Sequence, residues 1–350
     1  DKFFFEIHPF TIEGINDIPK ERMNFPGTMV FGGIFPKTEV VAKLQEDYSL
    51  GTTFEPEANT ALYDGLGIFN GSFDLSNKGL RGNGVIDFLS TTLISEKLVF
   101  LPDSLLSTNI DSVTVRKEKI GNANFPAVTN SNVGLAWYPI NDSMVLKGGN
   151  QLFDMFEGRS KLKGNLIITS TGPKGVGEMY WNNSTLVSKE FTYDQHSIYS
   201  DITASIELKN QDSTVSVVSS DIVTNLNVYE ELAIFEPADT NIELSFPHHR
   251  YNTRTDLFNW AYKDNKVTFQ NNSSSKYFLT STHANQKELT FQTQGGVLDL
   301  EKNIIKVEKV PFIAVADSRI TPHQGLLTIE PDAVIQTLEN ATIFTDTINN

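Results

Sequence analysis

The 350-residue chain has no cysteine. Disulfides, thiolate catalysis and cysteine-held zinc or iron–sulfur centres are therefore excluded. The same absence fits a reducing cytosol and an oxidising compartment equally, so by itself it assigns no location. Long apolar runs are missing too. No stretch approaches the ~18 uninterrupted apolar residues of a membrane-spanning helix. The opening DKFFFEIHPF has neither the apolar core nor the small-residue cleavage site of a signal peptide. It does not begin with Met, and its first patterned strands start without a cap, which reads as an excerpt from a longer protein. Positive charge is in deficit, with 28 basic against 43 acidic residues and a net charge of −15. That balance repels nucleic acid and anionic membrane surfaces. No run of five or more like charges occurs, so the acidity is spread over a solvated surface.

Catalytic signatures are equally scarce. There is no G-x-S-x-G elbow, no S-x-x-K at a strand-to-helix turn, no HExxH, no His-x-His and no D-x-D-x-D-G calcium loop. Carboxylate pairs for glycoside cleavage can lie far apart in sequence, and no pair stands out. The histidines are His8, His196, His248, His249, His283 and His323. Only FPHHRY (246–251) clusters two. Neighbours on a strand point to opposite faces, so His248 and His249 cannot share a metal unless they sit in a loop. The turns YDGLG (63–67) and YDQHS (193–197) offer a carboxylate each, and a turn-stabilising Asp is the simpler role. No catalytic, cofactor-binding or metal residue is assigned.

What is present is alternation. SVTVRKEKI (112–120), DITASIELK (201–209), STVSVVSS (213–220) and NIIKVEKV (303–310) repeat apolar residues with period two. They are rich in Thr, Val, Ile, Phe and Tyr. SNKG, STGPKG, NNSS and TPHQG punctuate them as turns. The pattern predicts an all-β, elongated, repeat-built and mainly antiparallel sheet, groove-like or solenoid-like. At most two short helices are expected, over TEVVAKLQEDY (38–48) and GGNQLFDMFEG (148–158).

Placing Gly71 on Gly164 sets an offset of 93 residues and gives nine identities in the 37 positions 71–107. Gly71, Gly79, Gly82, Gly84, Thr92, Leu93, Ser95, Ser104 and Ser107 meet Gly164, Gly172, Gly175, Gly177, Thr185, Leu186, Ser188, Ser197 and Ser200. Phe88 falls on Trp181. KGLRGNG (78–84) and TGPKGVG (171–177) thus hold equivalent places. A phosphate loop needs such glycines between a strand and a helix N-terminus. The residues after the glycines, VIDFLSTTLIS and EMYWNNSTLVS, start no helix. A hairpin is the better reading: Gly79 and Gly172 supply positive φ in the turn, and Gly82 and Gly84 allow a bulge or close approach. KLVF (97–100) and EFTY (190–193) find a fainter echo in ELTF (288–291). The expected division is an N-terminal β segment 1–65, then β repeats over 66–150, 151–250 and 251–350. The aromatic clusters LAWYP (135–139), MYW (179–181) and LFNWAY (257–262) are assigned to the core, with Phe258, Trp260 and Tyr262 on one strand face. RKEK (116–119) and EKNIIKVEK (301–309) are read as charged protection of sheet edges.

YSLG, LSNKGLRGNGVIDFLSTTLISEKLVFLPDSL, FDMFEGRSKLKGNLIITSTG, FNWAYKD and the stretch from FLTSTHANQ to IEPDA together resemble the repeat-bearing part of large envelope or surface proteins of Bacteroidetes-type bacteria. That resemblance implies an extracytoplasmic compartment and an architecture, and carries no activity with it. VLDLEKNIIKVEKVPFIAVADSRITPHQGLLTI (297–329) is similar to the strand–turn–strand pattern of the OstA/LptA and AsmA/TamB groups, whose open β-grooves shield lipid chains. The acidity and the many Asn and Ser residues depart from that pattern. The expectation is a non-enzymatic structural or partner-binding β protein without cofactors. Its partner would be another protein or neighbouring repeats. A lipid-carrying groove and a polysaccharide-active β-solenoid enzyme stand as alternatives.

Overall fold

A computed structural model describes residues 3–9, 23–271 and 277–345. The loop read in NNSSSK falls outside these residues except for Asn271. The described chain is strand and turn, with antiparallel pairing throughout. Among the described residues there is no α-helix, only single 3-10 turns such as Pro139–Asn141 and Ala284–Gln286. Contacts divide the chain into one compact unit of residues 1–158 and 162–175 and a second of residues 159–161 and 176–350.

The first unit opens with β1 (Phe3–Ile7), β2 (Asn24–Phe31), β3 (Thr38–Leu44), β4 (Leu50–Phe54) and β5 (Thr60–Leu62). Three long strands come next, β6 (Gly67–Ser76), β7 (Gly79–Phe88) and β8 (Thr91–Phe100). Then come β9 (Leu105–Ile110), β10 (Ser112–Val115) and the small hairpin β11 (Glu118–Ile120) and β12 (Ala123–Phe125). The unit continues with β13 (Val128–Asn130), β14 (Val133–Tyr138) and β15 (Ser143–Met155). The division of the chain runs through β16 (Ser160–Thr169) and β17 (Gly172–Trp181). The second unit carries β18 (Ser184–Tyr193), β19 (Ser197–Lys209), β20 (Val215–Ser219), β21 (Ile222–Asn227), β22 (Leu232–Pro237) and β23 (Leu244–Phe246). Next are β24 (Tyr251–Thr253), β25 (Leu257–Ala261), β26 (Lys266–Gln270), β27 (Tyr277–Ser281), β28 (Thr290–Thr293), β29 (Gly295–Asp299) and β30 (Ile304–Glu308). It ends with β31 (Ile313–Val315), β32 (Ser318–Thr321), β33 (Leu327–Glu330), β34 (Val334–Ile335) and β35 (Thr342–Thr345).

Both expected helices are strands. Residues 38–44 form β3, where Val40 and Ala42 turn inward and Glu39, Val41 and Lys43 do not. Period two overrides the helical propensity of Glu, Ala, Lys and Leu once β2 is available to pair. Residues 148–155 complete β15, with Phe153 and Met155 buried either side of Asp154. The chain then leaves the strand through positive φ at Phe156 and Glu157, which no helix tolerates.

Each unit splits its sheet into two arms. In the first, β8 pairs with β9 at one end, through Phe100 and Leu105, and with β10 at the other, through Leu93 and Val113. Beyond β9 lies β14, beyond β10 lies β13, and both pair with β15. In the second unit β19 forks likewise. Its start pairs with β21 and its end with β20. One arm then runs β21, β22, β25, β26, β29, β30 and β33, and the other runs β20, β23, β24, β27 and β28. The chain zigzags between them, so successive strands belong to alternate arms in pairs.

The arms pack face to face. Phe246 of one arm meets Phe269 of the other with ring centroids 5.2 Å apart. Strands ahead of the forks pack against the arms in the same way: Trp181 of β17 meets Trp260 edge-on at 5.0 Å, and in the first unit Phe88 of β7 meets Trp137 at 5.0 Å. Phe88, Trp137, Trp181, Phe258 and Trp260 are all buried, as the aromatic patterning predicts. The tyrosines of these clusters depart from that: Tyr138 is 40% exposed at the end of β14, and Tyr180 and Tyr262 are half-buried. Burial of this kind is worth about 1.5–3 kcal/mol per large side chain.

β30, expected as a guarded edge, is paired on both sides, with β29 and β33. Arg116 of RKEK folds back instead onto Thr92, Glu118 and the Leu89 carbonyl. Both charged runs are legible as polar. Which strands end up at an edge depends on long-range pairing that local sequence does not encode.

Candidate interaction surface

The corners between the arms carry the molecule's most distinctive local structure. They start from the glycines. KGLRGNG closes the β6–β7 hairpin with φ 87° at Gly79, and Gly172 takes φ 125° at the matching place. The chain continues into β7 and β17, so no helix N-terminus is available to hold a phosphate. Gly84 adopts φ 148° opposite Gly71, and a Cβ on Gly84 would collide with the Asn70 carbonyl oxygen. Gly177, 93 residues on, adopts φ 132°. Only glycine fits where two backbones close this tightly at a bend.

The hydroxyls come next. In β8 the inward residues Ser95 and Leu98 are separated by two outward ones, Glu96 and Lys97. In β18 Ser188 and Phe191 are separated by Lys189 and Glu190. A doubled outward step is a bulge, and it turns the strand. At the inner angle there is room only for a small side chain. The Ser95 hydroxyl accepts from the Lys97 amide at 3.1 Å and donates to the Asn109 carbonyl at 2.8 Å. The Ser188 hydroxyl accepts from the Glu190 amide at 3.1 Å and donates to the Ile202 carbonyl at 3.0 Å. Ser95 lies 3.3 Å from Ser107, and Ser188 lies 2.9 Å from Ser200. The side chain thus replaces ladder bonds that the bend breaks. Thr203 with Thr224, Thr255 with the Gln270 carbonyl, and Thr293 with the Glu308 carbonyl mark further corners in the second unit. ELTF (288–291) enters the last of these, but there the hydroxyl comes after the motif, whereas Ser95 and Ser188 precede theirs.

Outside each bend the side chains splay apart and leave a concavity. In the first unit it is about 670 Å³ and crosses β7, β8, β9, β14 and β15. Arg81, Lys97 and Lys147 line it together with Val99, Leu106 and Tyr138, and Glu96 is the one carboxylate in the lining. In the second unit it is about 380 Å³, between β18, β19 and Asp221. Its charged residues are Lys189, Glu190, Asp201 and Asp221, around Tyr199 and Ile202. A third, of about 350 Å³, lies at the corner of β26, β29 and β30 and includes Glu308 and Lys309.

The histidine pair sits in the turn between β23 and β24. His249 is fully buried, with Nε2 3.1 Å from the Asn303 carbonyl. Burial, with His248 beside it, pushes its pKa down to about 4 despite that hydrogen bond. Nε2 must therefore carry the proton of a neutral ring. The two rings lie edge-on with centroids 5.6 Å apart, and no cluster of three metal-ligating side chains occurs among the described residues. The turn anchors the end of the fold: Arg250 pairs with Asp332 at 2.8 Å, and Asp332 donates its amide to the His248 carbonyl. Asp194 of YDQHS accepts from the amides of His196 and Ser197 and from the Tyr199 hydroxyl. Its role is the turn. In YDGLG it is Tyr63 that works, donating to the carbonyls of Leu101 and Ser104, with burial raising its pKa.

Sequence reasoning singled out the glycines and missed the serines, although Ser95, Ser107, Ser188 and Ser200 were among the nine identities. It also missed the charged outer corners, because Arg81, Lys97 and Lys147 meet only across five strands. A scan against protein-family models finds no match, and searches of curated proteins and of solved structures find none either.

Proposed function

We propose that the chain is a non-catalytic, extracytoplasmic β-repeat protein that serves as a structural element or holds a protein partner. The observation that carries this reading is the filling of the space between the arms. Phe246 with Phe269 closes that space between the arms of the second unit, and Trp181 with Trp260 and Phe88 with Trp137 pack a strand ahead of each fork against an arm, one in each unit. A lipid carrier needs the facing apolar surfaces held apart to admit acyl chains. Here the same surfaces bury each other. The matched segments support a repeat: β6, β7 and β8 share their bounds with β16, β17 and β18 at the 93-residue offset, and the corner hydrogen bonds recur with them. Repeating a stiff corner yields a rigid surface with side chains presented at fixed spacing. The compartment rests on the resemblance to surface proteins of Bacteroidetes-type bacteria.

Native mass spectrometry of the purified chain, combined with organic extraction, tests the reading. The expected result is a bare protein mass. A stoichiometric acyl species in the extract would replace it with the lipid-groove alternative.

A further inference from the structure

We infer that the outer concavity of the first unit receives the acidic outer corner of the second unit of another copy of this chain. This rests on the partner-binding reading and names the partner.

The two surfaces are complementary in charge. The two concavities come from the same local structure, yet their linings carry opposite net charge, although Arg81 is matched by another cation, Lys174, and the charged pair at each bend is neutral as a whole. Glu96 and Lys97 in the first stand where Lys189 and Glu190 stand in the second. Thr108 is matched by Asp201. Past the corner the strand register places Leu135 beside Ser107 and Thr224 beside Ser200, so the offset there is 89 residues. At that offset Asn132 is matched by Asp221 and Lys147 by Glu236, and Asn132 and Asp221 share the left-handed backbone, with φ 56° and 51°. The first concavity therefore holds three cations to one carboxylate, and the second holds three carboxylates to one cation.

A chain of net charge −15 repels its own copies. A cationic hollow is the place where that repulsion reverses. The acidic corner also offers an apolar knob: Ile202 is 60% exposed and is flanked by Asp201. Tyr138, Val99 and Leu106 in the lining of the hollow give it apolar contacts, and Arg81, Lys97 and Lys147 in the same lining give its carboxylates cations. Such a contact joins two different surfaces, so it is heterologous rather than two-fold. Rim charges chiefly set the rate of encounter and its salt dependence.

Sedimentation velocity of the full chain across a wide concentration range, at low and high salt, tests this. The sedimentation coefficient is expected to rise with concentration at low salt and less so at high salt. K97E/K147E and D201K/D221K, all at exposed positions, are each expected to weaken association by about tenfold or more. Mixing the two variants should restore it, because each then offers the other a complementary surface. Circular dichroism and thermal melting check that both variants stay folded. A monomer under all conditions overturns the inference, as do variants that associate like the parent. Capture of a labelled poly-glutamate peptide by a chain that remains monomeric also overturns it, and points to a foreign acidic segment in the same hollow. Lipid in the organic extract would instead overturn the partner-binding reading itself.

Discussion

The segments around β6–β8 and β16–β18 are alike inside and different outside. Inward positions hold Phe88 or Trp181, Leu93 or Leu186, Ser95 or Ser188, and Leu98 or Phe191, with the same burial at each. Outward positions are free to exchange charge sign, as Glu96 and Lys97 do against Lys189 and Glu190, or to keep it, as Arg81 and Lys174 do. The contrast locates the constraint. A packed interior admits different apolar side chains where its neighbours repack, as Phe88 against Trp181 and Leu98 against Phe191 show, whereas an inner corner admits only glycine or a small hydroxyl. An outer face in water is free to carry either sign at little cost to stability.

Four measurements would put that contrast under strain. The largest effect belongs to the buried aromatics that hold the arms in place. Trp260→Ala and Trp137→Ala should each cost about 3–5 kcal/mol by chemical denaturation, since each empties a buried site where an arm packs on a strand ahead of its fork. If one is silent, its unit does not depend on that contact. Gly84→Val comes next, at roughly 3 kcal/mol or failure to fold, because the new side chain meets the Asn70 backbone rather than a movable group. Gly177→Val should behave alike if the two bends are equivalent.

The third concerns pH and touches only the second unit. His249 has its folded pKa lowered to about 4, against about 6.5 when unfolded. Between these values the unfolded chain binds the extra proton, so stability falls as pH drops from 6.5 to 4 and levels off below. The full loss is on the order of 3 kcal/mol. His249→Gln should flatten that part of the stability–pH curve. The smallest effect is at the hydroxyls. Ser188→Ala and Ser95→Ala each strand a main-chain amide and a carbonyl, and about 1–2 kcal/mol is expected by thermal melting. Ser188→Thr should retain more of the stability than Ser188→Ala.

The legibility of this fold was uneven for physical reasons. Alternation in SVTV and DITASIELK marks strands because a half-buried pleat demands it, and both are strands in β10 and β19. TEVVAKL misled because its composition suits a helix in isolation, while β2 and β4 offer it pairing on both sides. The aromatic core of FNWAY was readable from one strand alone. Its partner Trp181, 79 positions earlier, was not, because only the fold brings the two indoles to 5.0 Å.

Local sequence was enough to set the strand class, the matched segments and the glycine turns. Each of these arises from backbone sterics and side-chain period, which act within a few residues. The fork of each sheet into two arms, the burial of His249 and the gathering of Arg81, Lys97 and Lys147 around one hollow came only with the assembled fold. Those outcomes depend on which distant strands pair, and pairing is chosen by the fit of whole apolar faces rather than by any one segment.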